Sequence, residues 1–192
     1  MGELARWQQL VPLFLAAAWC HGPASPFLPA TFEPVLMAFG QTHTPALVAV
    51  SAAVISVVME SVNYLGYGYV LRSNRLGRIR TASARLTSLF QRRPFLTCLL
   101  VAATPLPDWS ARILGAIARY SISRYLAAFL LGRTLSFWLL ATIGQQLQPP
   151  RSLLVIVAVG SILLTYGTVC VRRVRSARAS HIRVHSARTV QV

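Results

Sequence analysis

The chain has 192 residues, 55% of them hydrophobic and 12% charged, with a formal net charge of +15. A soluble protein of that charge would point to nucleic acid, but every basic residue is arginine and the arginines stand in blocks beside apolar segments. That is the pattern of an integral membrane protein with a basic cytoplasmic face, and no aromatic-basic groove or motif argues for nucleic acid.

Met1 to Cys20 carries one arginine, Arg6, ahead of the apolar run VPLFLAAAW. Its near-neutral start favours a short retained helix over residues 1–24. A cleaved signal, with HGPASP as the cleavage region, is the alternative. Ser25 to Gly40 holds Pro26, Pro29 and Pro34 around Glu33, too short and too broken to span a bilayer. A re-entrant hairpin over about 25–44 is expected.

Residues 45–71 are long enough to span. Ser56, Glu60, Asn63, Tyr64 and Tyr67 recur there at three- and four-residue steps and form one polar stripe, which should face the protein interior. Gly66 and Gly68 would let a second backbone pack closely. Arg72 to Arg93 carries seven arginines and no acid, with apolar residues at roughly helical spacing. A basic amphipathic helix on an anionic leaflet fits it, and a solvated linker is the alternative.

The chain is organised around Thr104 to Arg133. Pro94 to Ala103 is apolar, and a helix of that length reaches about half-way through a bilayer. Pro105, Pro107 and Asp108 then break it, and apolar residues resume around Arg112 and Gly115. A second re-entrant hairpin over 94–118 follows, with the four prolines Pro29, Pro34, Pro105 and Pro107 at the two hairpin tips. An ordinary loop between two membrane helices is the bland alternative. A carboxylate and an arginine at such a depth mark a site.

Residues 125–144 form another span, with Arg133 inside it, and residues 152–171 form a third without charge. Residues 172–192 are a basic tail with six arginines. Placing both arginine blocks on the cytoplasmic side requires an even number of crossings between them. The spans 125–144 and 152–171 supply two, so the central hairpin supplies none, and the first hairpin opens from the opposite side. Glu33 and Asp108 each follow a proline-broken apolar run, and each precedes a glycine by seven residues, Gly40 and Gly115. Two such hairpins are what an inverted repeat with a midplane site leaves in a sequence. The fold expected is an all-α integral membrane protein, with residues 25–171 as its membrane domain.

Cys20, Cys98 and Cys170 lie far apart in apolar runs and have no ligand or redox spacing. His181 and His185 stand four apart in the tail, a weak metal pattern, and no hydrolase, P-loop, dinucleotide or zinc-protease motif occurs. No enzyme activity, cofactor or metal is therefore expected. Three of the four acids, Glu33, Glu60 and Asp108, lie in membrane-depth segments. Left ionised toward lipid, each would cost roughly 2.5–3.5 kcal/mol. Two roles are open for them: structural partners of Arg112, Arg119 or Arg133, or proton-exchanging groups in a wet cavity.

The P-x-P-D run followed by Arg112, Gly115 and the later Gly132-Arg133 is similar to the DedA/VTT family of membrane proteins (the SNARE-associated, YqaA-like branch). The first half agrees, in P-x3-E-P ending at Gly40 and E-x2-N-Y-x-G-Y from Glu60 to Tyr67. The resemblance covers about residues 27–144. It implies two opposed re-entrant hairpins and movement of phosphate-bearing lipids between leaflets, passively or coupled to protons, in a bacterial inner membrane, and the arginine blocks place the C-terminus on the cytoplasmic side. Membrane lipids are the implied partners, and self-association is left open. Carried over by position, the functional acids are Glu33 and Glu60, and Arg112 is one of two functional arginines. The chain has T-P-L-P-D where that branch has R-F/Y-x-P. Together with Asp108 and Arg133, these residues form the expected lipid-phosphate or proton site. A phospholipid-metabolising enzyme would need an acid cluster or histidine signature that does not occur. A non-transporting membrane scaffold is the other alternative.

Overall fold

A computed structural model describes residues 2–23, 32–72, 88, 90–104, 108–164 and 166–167. Pro29, Pro105, Pro107, Cys170, most of the first arginine block and the basic tail lie outside these residues. The described residues are all-helical, with no strand among them. The helices are α1 (Gly2–His21), α2 (Phe32–Gly40), α3 (Pro45–Arg72), α4 (Pro94–Ala103), α5 (Trp109–Ile117), α6 (Ile122–Leu147) and α7 (Arg151–Leu164).

The starts have local causes. Pro45 and Pro94 open α3 and α4, where a missing N–H costs nothing because first-turn amides have no intrahelical acceptor. Pro34 is a correction to the expected break: it is the third residue of α2, buried in the first turn, and so initiates a helix. The end of α5 is a Schellman turn, with Tyr120 N–H donating to the Gly115 carbonyl (3.0 Å) and Arg119 N–H to that of Ala116 (3.3 Å). Arg119 takes the left-handed position, φ 51°, where glycine is the usual residue.

Two long helices run antiparallel through the centre. Val48, Ala49, Ala52 and Ala53 of α3 share one apolar cluster with Phe137 and Ala141 of α6, while Tyr64 shares another with Tyr125 and Phe129. Helices α1 and α2 close the first cluster, and α4 and α5 the second. The packing is reciprocal. Helix α1 lies on α3 and α4 on α6, but short α2 lies mainly on α6 and short α5 on α3. The elements also match in length and order: α2 and α5 have nine residues each, and α3 and α6 have 28 and 26. Phe32 and Trp109, like Pro45 and Ile122, start their helices 77 positions apart.

Close approach between helices uses glycines other than those expected. A Cβ at Gly40 would strike the Ala141 carbonyl, and one at Gly144 the Met37 carbonyl, so α2 and α6 touch backbone to backbone. At Gly132 a Cβ would lie 2.6 Å from the Leu99 carbonyl of α4. Gly66 and Gly68, the glycines expected to serve this purpose, have open space around them.

Pro45–Tyr69 and Ile122–Leu147 are long and apolar enough to cross a membrane. Their outer faces carry apolar stripes at four-residue steps, such as Val50, Val54, Val58 and Val62. Helix α7 buries Leu154 but exposes Val155, Ile156, Leu163 and Leu164. Cys20 is half-buried and Cys98 buried, each packed among apolar side chains.

Candidate functional site: a buried ion-pair network

The polar stripe of α3 turns inward. Ser56, Glu60, Asn63 and Tyr64 are all buried, and Glu60 is fully enclosed. Opposite it, α6 presents Tyr125, Phe129, Arg133 and Phe137 at every fourth position, which places them along one face. Helix α5 brings Arg112, one turn after Asp108, into the space between.

Arg112 meets Glu60 as a fork. Its Nε donates to both carboxylate oxygens, at 2.8 and 3.0 Å, and its Nη2 donates to Oε2 at 2.8 Å. The Tyr125 hydroxyl donates to Glu60 Oε1 at 2.6 Å. Both carboxylate oxygens are thus served by donors from α5 and α6. A single unpaired carboxylate here would be very costly, and the bidentate arginine offsets much of that desolvation.

The network continues through Asp108. Its Oδ2 lies 3.8 Å from Arg112 Nη2 and accepts a hydrogen bond from Arg133 Nη2. Asp108 is 22% exposed, whereas the Arg112 and Arg133 side chains are 2% and 7% exposed. The Arg133 guanidinium also lies 5.6 Å from the Phe137 ring centre and 6.0 Å from that of Phe129, within cation–π range. Its Nε is buried and has no hydrogen-bond partner. Two acids and two arginines leave the cluster formally neutral.

Neighbouring polar contacts fix the helices that carry these groups. The Tyr64 hydroxyl bridges the Schellman turn, 2.6 Å from the Tyr120 carbonyl and 3.1 Å from that of Gly115. Asn63 Nδ2 donates to the His21 carbonyl at 2.8 Å, satisfying the end of α1. His21 donates from Nδ1 to the Ala17 carbonyl (3.0 Å), since a carbonyl can only accept. Its ring meets Phe32 edge-on at 4.8 Å and Phe137 at 5.7 Å.

Of the residues marked from sequence, Glu60, Asp108, Arg112 and Arg133 stand in one connected network. Glu33 does not join it: it is the second residue of α2, half-buried, and makes no hydrogen bond or ion pair with any described residue. Arg119 is exposed in its turn. Tyr125 and His21 went unmarked. The signal for Tyr125 is the four-residue series running through Arg133, whereas His21 opens the HGPASP stretch, whose alternative reading is a cleavage region. Among the described residues no group of three or more histidine, cysteine or acidic side chains could hold a metal.

No family model matches the chain, and no curated protein or solved structure matches it either.

Proposed function

We propose that the chain is an integral membrane protein of the DedA/VTT kind, that its two halves are an inverted repeat with opposed re-entrant hairpins, and that it moves a phosphate-bearing lipid between leaflets. The observation that carries this reading is the neutral cluster of two acids and two arginines, enclosed by helices whose outer faces are apolar. Ionised groups at that depth are expensive unless paired, and in membrane proteins they line polar pathways. The reciprocal packing of α2 on α6 and α5 on α3 supports the repeat, as does the common 77-residue interval between helix starts.

In this reading the lipid head group passes along the seam of α3, α5 and α6 while its tails stay in hydrocarbon. The ion pairs open and re-form around the phosphate, and no bond is made or broken. Proton exchange on Asp108, the more exposed of the two acids, is the route by which transport would couple to a gradient. The membrane is a bacterial inner membrane, with the C-terminus in the cytoplasm. The fork between Arg112 and Glu60 favours a second reading, a membrane scaffold in which the pairs only hold helices together, because each oxygen of Glu60 is already occupied.

Reconstitution separates the two. Full-length protein in liposomes carrying a fluorescent phospholipid should expose inner-leaflet label to an impermeant quencher faster than protein-free liposomes. Arg112→Ala should abolish that acceleration, and Arg112→Lys should reduce it, since lysine cannot supply the fork. Folded protein that never exceeds the protein-free rate would sink transport and leave the scaffold.

A further inference from the structure

The two buried arginines differ in a way that bears on what the site recognises. In Arg112 the edge formed by Nε and Nη2 is filled, both atoms donating to Glu60. In Arg133 only Nη2 of that edge is used, by Asp108, while Nε is buried without a partner. A guanidinium edge matches two oxygens of one anion, so Arg133 carries half of an anion site that its present partner does not complete. The partners differ too. Glu60 sits in mid-helix, fully buried under donors from two other helices. Asp108 lies at the junction before α5, is 22% exposed, and bonds Arg133 through one oxygen. Of the two acids, Asp108 is the one free to leave.

We infer that Arg133 is the head-group receptor of this site, that the incoming ligand displaces Asp108 from it, and that the preferred ligand is a phosphodiester monoanion rather than a phosphomonoester. The charge balance selects the ligand. With Asp108 turned out to the exposed side, Glu60, Arg112 and Arg133 sum to one positive charge. A phosphodiester, with one negative charge, restores neutrality in a poorly solvated space, whereas a phosphomonoester carries about −1.5 to −2 at neutral pH and leaves an uncompensated excess. Phe129 and Phe137, one turn either side of Arg133, hold the guanidinium against their faces during the exchange. The inference rests on the transport reading only for the lipid origin of the anion.

The test measures binding rather than transport. Full-length protein in detergent is titrated by native mass spectrometry with phosphatidylglycerol, with phosphatidic acid of the same chains, and with dimethyl phosphate as competitor. Wild type should prefer phosphatidylglycerol. Asp108→Asn, which removes the competing charge, should bind it about tenfold tighter. Arg133→Lys, which keeps charge but loses the two-donor edge, should bind about tenfold more weakly with its melting temperature close to wild type. Competition by dimethyl phosphate would identify a free phosphodiester as sufficient, and its failure would show that the tails are recognised as well. Phosphatidic acid binding as tightly as phosphatidylglycerol would overturn the inference. So would Asp108→Asn binding no tighter, or Arg133→Lys binding unchanged. The wild-type lipid preference needs no variant, so a misfolded mutant leaves the test intact. Tight, Arg133-dependent binding without lipid movement would keep this site and dismiss transport. Lipid movement with binding indifferent to Arg133 would do the reverse.

Discussion

The two ends of the α3–α6 pair are built on opposite principles. At one end α2 lies on α6 with Gly40 against Ala141 and Gly144 against Met37, where a Cβ on either glycine would strike backbone. At the other end α5 lies on α3 through the Glu60–Arg112 ion pair, and Asp108 carries the charged contact on to Arg133 of α6. Both joints attach a nine-residue helix to the long helix of the other half. The dry joint is specified by what is missing, a side chain, so any addition damages it. The charged joint is specified by matching, so it tolerates the loss of both partners better than the loss of one.

Substitutions can break or sharpen that contrast. The largest effect should come from Glu60→Ala, which strands Arg112 in a buried site and should cost about 3–5 kcal/mol in chemical denaturation. The double variant Glu60→Leu with Arg112→Met should recover most of that loss, and a double as damaged as either single would refute the matching principle. Gly144→Ala comes next, at about 3 kcal/mol, because its new methyl meets backbone that cannot rotate away. A Gly144→Ala protein melting like wild type would show that α2 can lift off α6 freely. Tyr125→Phe should cost about 2 kcal/mol, the worth of a hydrogen bond to a charged acceptor, with no change at the dry joint. Smallest and opposite in sign, Arg119→Gly should raise stability by about 1 kcal/mol by relieving the left-handed residue outside either joint. A drop in melting temperature would mean that the Arg119 side chain contributes something its exposure does not suggest.

The long helices were legible in the sequence to within a turn. Spans expected at 45–71 and 125–144 are Pro45–Arg72 and Ile122–Leu147, the second three residues longer at each end, because length and sustained apolarity are local properties. The inward turn of Ser56, Glu60 and Tyr64 was legible for the same reason. Pairing was not. Glu60 and Arg112 are 52 positions apart, and nothing local distinguishes Arg112 from Arg119 as its partner. What decides is the Schellman turn, which puts Arg119 in the left-handed position and outside the core. The likeness between Glu33 and Asp108 rests on an interval of 75 positions, whereas the helices themselves start 77 apart. Two residues on a helix are about 200° of rotation, close to the opposite face. Asp108 accordingly meets the network and Glu33 does not.

The 52-residue gap between Glu60 and Arg112 also constrains how the molecule is made. On the proposed membrane reading the chain is inserted as it is synthesised, so α3 leaves the ribosome with its carboxylate long before α5 exists, and the Tyr125 donor follows 65 residues behind. At about 5–20 residues per second, Glu60 waits several seconds for its counter-ion. During that wait the helix must keep its acid in the aqueous interior of the insertion machinery or sit shallow until α5 arrives. A truncation ending before Arg112 should therefore be recognised by cellular quality control as an unfinished membrane protein and degraded, while one ending after Tyr125 should persist longer. Biogenesis would then depend on the same ion pair that shapes the finished fold.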